Sequence, residues 1–399
     1  MSYSSHDFDG VATTKRRSLE SDEPLPSAVE DITPAWLSKI LETKVDALKV
    51  HEIIHGTGTN VLIEVTYNKN HGASKPLPPT RLCVKGGFNP QLIQMLPSLF
   101  AVYRLEAQFY HHIAPLIPGL RLIPTHWCGT DPPAARGGRG QGIVVMQDAK
   151  AKGYTFPDPL RTWPASRVRA GLAQLARLHA RTWGGPRESE FPGVPREFGL
   201  RDVITGMMNA ENWALRFGDR GVRPPAVPRA LWGDRDRVVR AMGALWDGVD
   251  PRMVCLVHGD TQIGNTFIDA DGQPGFLDWQ GVHVNSGLHD VTYFMTGALT
   301  VDERRAHERE LFGFYLLELH GAGGPRFEVE DVWDEYRKYQ MHGFAWALAG
   351  PMMQPKEIVD AMSQRHCAAI MDHRSLELLE SLAGIQPGTK GRQEVRSRL

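Results

Sequence analysis

Cysteine is scarce in this sequence: Cys83, Cys128, Cys255 and Cys367 are four residues in a chain of 399. None stands in a C-x-x-C pair, which removes the usual signatures of zinc and thioredoxin-like sites. They read as reduced, mostly buried apolar residues of an intracellular protein. No apolar run approaches the ~20 residues that a membrane span needs. The polar, Ser-rich start of the chain contains no apolar h-region, which speaks against a secretory signal. Neither charge sign is in excess: 45 Lys and Arg face 46 Asp and Glu, for a net charge of −1. A nucleic-acid partner, which wants a basic face, is therefore not expected, and neither is a membrane partner. There is no G-x-x-x-x-G-K-[ST], so this is not a P-loop protein, and no internal repeat is visible.

What the chain does have is length and patterning. Hydrophobic residues make up 42% of it, enough for a sizeable core without disulfide or metal staples. The length suggests two domains or one bilobal unit. Residues 1–30 read as a disordered tail, rich in Ser, Asp and Glu, although Thr33 and Pro34 signal the start of a short helix at 32–41. Residues 31–147 form a β-rich lobe, with strands expected at 49–54, 61–67, 81–85, 121–127 and 142–146 and a helix at 101–113. Between the last two strands, 131–141 is rich in Gly, Pro and Arg and reads as a solvated loop rather than an RNA contact. Residues 148–385 read as a helical lobe, with helices at 166–183, 201–216, 229–246, 302–320, 330–348 and 355–383. Residues 386–399 read as a flexible tail. The change from β to α near Gln147 is the natural hinge, and ligands favour such interfaces.

Residues 254–280, VCLVHGDTQIGNTFIDADGQPGFLDWQ, carry the most chemical information. An apolar strand delivers His258-Gly259-Asp260, and Asn265 follows five residues after Asp260. Asp271-Gly272 between two apolar runs signals a β-hairpin. A turn centred between those two residues places Asn265 opposite Asp278 on the two arms, with Asp260 arriving from the preceding loop. Asn and Asp oxygens so placed suit a hard cation such as Mg²⁺, which keeps waters and shares substrate phosphates.

The order H-G-D-x-x-x-x-N, hairpin, D-W-Q resembles the aminoglycoside phosphotransferase superfamily of protein-kinase-like enzymes. Within it, the D-W-Q text is most similar to the ecdysteroid-kinase-like branch. The resemblance covers about residues 49–382. It implies an α+β, bilobal protein-kinase-like fold with a small β-rich lobe and a larger helical lobe. It implies Asp260 as the catalytic base or hydroxyl orienter, Asn265 and Asp278 as ligands of Mg²⁺, and His258 and Asp290 as structural supports. It also implies ATP bound beneath a β-hairpin loop, with a strand Lys on its phosphates and a helix Glu paired to that Lys. Lys85, a cation ending an apolar strand, and Glu106, a charge at the edge of an apolar helix face, each want such a partner. Gly56, Thr57, Gly58, Thr59 and Asn60 are the candidate phosphate-covering loop, the two glycines allowing close backbone approach. Gln147 and Ala149 stand where kinase-like folds place the adenine-binding hinge. His283 and His289 read as packed or solvated rather than metal-binding.

These features point to an ATP-dependent phosphotransferase acting on a small-molecule hydroxyl. Arg is plentiful in 201–246 and no acidic cluster is present, so the expected acceptor is apolar or weakly anionic, of a sterol-, polyketide- or hydroxyacyl-like kind. Trp183, Met207, Met208, Trp213, Phe344, Trp346 and Met352 are available to line its site. The competing readings are a nucleotide-binding or regulatory protein on the same fold, and an acid/base dehydration or cyclisation catalyst. Between Asp278 and Asp290 no activation-loop pattern supports a protein kinase. A cytoplasmic location is expected. The terminal Ser397-Arg398-Leu399 resembles a peroxisomal address, so an import receptor becomes a partner if the source is a eukaryote.

Overall fold

The computed structural model describes residues 18–68, 77–197, 199–219, 221–350 and 353–384. Helix α1, Pro34–Leu41, starts where Thr33 accepts a hydrogen bond from the Trp36 N–H and Pro34 occupies the first turn. It ends at Glu42 in the left-handed conformation. Five antiparallel strands follow, β1 Val45–Ile54, β2 Thr59–Tyr67, β3 Arg81–Gly86, β4 Thr125–Thr130 and β5 Gly142–Gln147, in the order β1-β2-β3-β5-β4. Alternation decides which face each residue serves. Val61, Ile63, Leu82, Val84, Ile143 and Val145 pack with Leu37 and Ile40 of α1. Leu62, Cys83, Val144 and Met146 face the other way, toward the core that continues into the helical lobe. Between β3 and β4 lie α2, Pro90–Met95, and α3, Leu99–Gln108, which a π-turn extends through Phe109–Ile113.

The helical lobe holds α4 Ala165–Arg181, α5 Arg201–Met207, α6 Ala210–Phe217, α7 Arg235–Asp247, α8 Leu288–Ala298, α9 Val301–Gly321, α10 Trp333–Tyr339, α11 Ala345–Leu348, α12 Lys356–His373 and α13 Ser375–Leu382. Two short ribbons lie among them: β6 Val254–Val257 with β9 His283–Ser286, and β7 Thr266–Ile268 with β8 Pro274–Phe276. One apolar core runs through both lobes, and Phe109 stacks on Trp279 at 4.0 Å across their junction. Among the described residues no helix is long and apolar enough to cross a membrane.

The structure corrects several expectations. Residues 18–30 are not a loose tail. Leu25 is buried in the core beneath α1, the Leu25 N–H donates to Asp131 (2.7 Å), and Ser21 and Leu19 pair with Thr130 along the edge of β4. The loop 131–141 is accordingly a clamp on that segment. The strand expected at 121–127 begins only at Thr125, since Pro124 has no N–H for a ladder. The helix expected at 201–216 breaks where the Asn209 side chain caps a new one at the Asn212 N–H (2.8 Å). That expected at 355–383 breaks at Arg374, which is left-handed with φ 51°. The one expected at 330–348 divides around a 3₁₀ turn, Gln340–Phe344. Residues 1–17 and 385–399, including Ser397-Arg398-Leu399, lie outside the described residues.

Candidate active site

The site is assembled on β6, a strand whose last three residues are wholly buried. Its end is fixed by Asp290 in the first turn of α8. One carboxylate oxygen of Asp290 accepts from the His258 N–H (2.6 Å), the other from the Gly259 N–H (3.0 Å), and its carbonyl accepts from the Thr261 hydroxyl. Burial opposes the Asp290 charge, but His179 and His289 outweigh it and hold the carboxyl well below the usual range. Gly259 has φ 87°, and an added Cβ there would collide with the Gly281 carbonyl. The His258 side chain bridges its own turn and the hairpin arm. Its Nε2 is 2.9 Å from the Leu277 carbonyl, so Nε2 carries the proton and Nδ1 accepts from the Asp260 N–H (3.3 Å). Burial lowers its pKa, in keeping with that neutral form.

Asp260 emerges from this turn half-buried. Asn265 donates to its carboxylate (2.8 Å) and its carbonyl (2.9 Å), and Gln262 donates to both carboxylate oxygens (3.3 and 3.2 Å). Burial raises the Asp260 pKa to about 6, partly offset by the Gln262 and Asn265 donors. A carboxylate of that basicity is matched to taking up a proton near neutral pH.

The hairpin register differs from expectation. Thr266 pairs with Phe276 and Phe267 with Gly275, which centres the turn on Asp271 and sets Asn265 against Leu277, not Asp278. Asp278 lies one residue beyond, in the left-handed conformation with φ 67° and ψ 61°. Such backbone costs a non-glycine residue ~1–2 kcal/mol and persists only where contacts fix it. Both carboxylate oxygens of Asp278 are engaged, one by Lys85 Nζ (2.7 Å) and the other by Gln280 Nε2 (3.2 Å).

Lys85 is therefore shared. Its Nζ lies 2.8 Å from a Glu106 oxygen as well as 2.7 Å from Asp278, and it is buried. Burial works against its charge, but Asp278 and Glu106 more than compensate and hold its pKa above the ordinary value. Glu106 also accepts from the Trp279 N–H (3.2 Å), which ties α3 to the turn after Asp278. Burial raises the Glu106 pKa and Lys85 opposes the rise. The loop between β1 and β2 lies above this pair: a Cβ added to Gly58 would meet Lys85 Cε at 3.2 Å, and Asn60 stands opposite Lys85 in the β2–β3 register. Gly56 and Thr57 are exposed at its tip, while Thr59 is buried at its base.

The hinge is less open than expected. The Gln147 N–H already donates to Pro124 (2.8 Å), and the Ala149 carbonyl accepts from Lys152 and Tyr154. Four supports escaped the sequence reading. His179 joins Asp290 (3.2 Å) to the Tyr315 hydroxyl (2.9 Å) in a fully buried row. Its signal was a histidine within the apolar stripe of α4; Tyr315 on α9 gave none. Gln262 and Gln280 each orient one of the two acids. The proposed pocket walls are partly core: Met208, Trp213 and Phe344 are buried, with Trp213 and Phe344 at ring distances of 4.6 and 6.2 Å from Phe217. Met352 lies outside the described residues. Trp183 instead lines a cavity of about 290 Å³ with Ile113, Arg181 and Glu190, apart from every group named above.

The donor set suits a magnesium nucleotide. Among the described residues no group of three or more His, Cys, Asp or Glu side chains is placed to hold a metal. Asp278 and the Asn265 amide oxygen would be the protein's share, with waters and phosphates completing the shell, as Mg²⁺ prefers. At Gly58 the loop brings backbone rather than a side chain over Lys85.

No curated protein matches the sequence. Among solved structures, the chain is similar to the GDP complex of aminoglycoside 2'-phosphotransferase-IIIa at 12% identity and a TM-score of 0.45, covering 86% of this chain and 95% of that one. It is similar to a microcompartment-associated aminopropanol kinase at 12% identity and 0.46, covering 84% and 95%. For the choline kinase of Streptococcus pneumoniae the values are 14% and 0.43, covering 88% and 99%. Residues 224–322, the stretch that carries Asp260, Asn265, Asp278 and Asp290, match the model of the ecdysteroid kinase-like family.

Proposed function

We propose that this protein is an ATP-dependent O-phosphotransferase whose acceptor is the hydroxyl of a small molecule. The observation that carries it is the junction at Lys85, where one ammonium joins Glu106 and Asp278 beneath the β1–β2 loop, together with the Asn265 amide bonded to the Asp260 carboxylate in the loop after β6. Lys85 holds the α- and β-phosphates, and the backbone and side chains of Gly56 to Asn60 cover the phosphate tail. Asp260 orients the acceptor hydroxyl and takes its proton as the oxygen attacks the terminal phosphorus, the bridging P–O bond breaks and ADP leaves. Asp278 and Asn265 would hold Mg²⁺, which would neutralise part of the phosphate charge. Little covalent chemistry falls to the protein, so positioning accounts for most of the rate.

An apolar or weakly anionic acceptor of sterol, polyketide or hydroxyacyl kind is favoured by the charges on α5 to α7. Asp247 is bonded to Arg201 (2.7 Å), Asp236 to Arg235 (2.6 Å), and Asp234 caps the Arg237 N–H (3.0 Å), so these carboxylates do not collar a polycation. The test is phosphate transfer from ATP with Mg²⁺ to a panel of hydroxysterols, hydroxyacyl thioesters and aminoglycosides, read by mass spectrometry. Transfer to one of the first two classes, lost in Asp260→Ala while nucleotide still binds, is the expected result. Nucleotide binding without transfer to any alcohol would turn the reading to a regulatory protein. For Ser397-Arg398-Leu399 an import-receptor contact is proposed for a eukaryotic source only. An unchanged location of a fluorescent fusion after deletion of the tripeptide would dismiss it.

A further inference from the structure

Helix α3 and the π-turn that continues it carry Tyr103, Glu106 and Phe109 at a spacing of three. Glu106 meets Lys85 and Phe109 stacks on Trp279. Tyr103 takes the third place, at the loop. Its hydroxyl donates to the Thr57 carbonyl at 2.6 Å, the shortest polar link between α3 and the β1–β2 loop in the described structure. The ring is almost fully buried, 4% exposed, and lies against Gly87, where an added Cβ would collide with it. Gly87 is held from behind. The Gln141 side-chain oxygen Oε1 accepts from the Gly87 N–H (2.9 Å), and its Nε2 donates to the Gly87 carbonyl (3.1 Å) and to the Pro26 carbonyl (3.0 Å). Gln141 is itself 1% exposed and its N–H is bonded to Asp131 (2.9 Å), which also holds Leu25.

We propose that Tyr103 is a positioning residue that latches the phosphate-covering loop to α3, and that residues 18–31 act on this latch through Gln141 and Gly87. The inference rests on the nucleotide reading above. The contact runs without a gap from the N-terminal segment to Gln141, to Gly87, to the Tyr103 ring, and through its hydroxyl to Thr57. The latch acts on the part of the nucleotide that the loop covers. It fixes Thr57 and Gly58 above Lys85, so that the loop covers the phosphates beyond the α-phosphate that Lys85 holds, and leaves the base and ribose untouched.

The test is calorimetric titration with ATP and with AMP, both with Mg²⁺, on wild type, Tyr103→Phe and Gln141→Leu. AMP has no β- or γ-phosphate for the loop to cover. Tyr103→Phe keeps the ring and removes one hydrogen bond, so ATP binding should weaken about fivefold with AMP binding unchanged. Gln141→Leu should show the same ATP-selective loss, whatever it does to thermal stability. A general structural defect weakens both ligands together, so equal losses, or no loss in Tyr103→Phe, overturn the inference. If wild type binds neither nucleotide, the nucleotide reading itself falls, and this inference falls with it for a separately visible reason.

Discussion

Acidification should unfold this protein through a layer of histidines sealed behind the catalytic turn. His289 and His342 lie 4.1 Å apart between ring centroids, His283 lies 5.5 Å from His289, and Tyr293 lies 5.1 Å from His366. Burial, with His289 nearby, lowers the His283 pKa to about 4; burial, with Arg365 and Arg304 nearby, lowers that of His366 to about 3. In the unfolded chain each titrates near its ordinary value of ~6.5. The unfolded state therefore binds more protons than the folded state between the two values, and stability must fall as pH falls through that window. From pH 6.5 to 5 is 1.5 pH units, and at 1.36 kcal/mol per unit each histidine forfeits about 2 kcal/mol. Urea denaturation at pH 7 and pH 5 on wild type and His366→Gln isolates one of them, because every other titrating group cancels in the difference. Wild type should lose about 2 kcal/mol more than the variant over that interval. Equal losses in the two proteins would show that His366 is not held neutral by burial, and the reasoning would fail.

Other perturbations address the site directly. Lys85→Met leaves Glu106 and Asp278 facing each other without their shared cation. Removing one partner of a buried ion pair costs about 3–5 kcal/mol, so a fall in denaturation midpoint should accompany loss of ATP binding. Asp260→Asn keeps the shape and removes the base; turnover should drop about 10²–10⁴-fold with the nucleotide dissociation constant near wild type. Gly259→Ala forces a Cβ against the Gly281 carbonyl and should lower turnover by displacing Asp260, while an alanine at Gly272, whose Cβ meets nothing nearby, should leave turnover intact. Comparison of their rates checks this.

The parts of this site that could be read in the sequence are those set by short spacing. Asn265 reaches Asp260 because five residues of 3₁₀ turn and loop bring its amide back onto that carboxylate. Lys85 and Glu106 announced themselves as charges on apolar elements, and burial left them only each other and Asp278 to pair with. The hairpin shows where spacing stops being enough. Asp271-Gly272 does mark the turn, but the Asp269 side chain accepts from the N–H groups of both Asp271 and Gln273 (2.9 Å each), building a wider turn centred on Asp271. A slip of half a residue in that centre sets Asn265 against Leu277 and puts Asp278 on a left-handed residue outside the ladder. Composition likewise made residues 18–30 look unstructured, because the groups that hold them, Asp131 and Gln141, lie more than a hundred residues away. Helix α8 was invisible for a related reason. All its residues are buried, so it has no polar face to give it a period. Asp290, its one carboxylate, was found only through the family resemblance, and its partner His179, with the Tyr315 hydroxyl behind it, comes from helices that no local pattern connects to it. Local chemistry thus named the charged groups that the fold gathers around Lys85 and Asp260, while the network that holds them depends on contacts that only the folded chain makes.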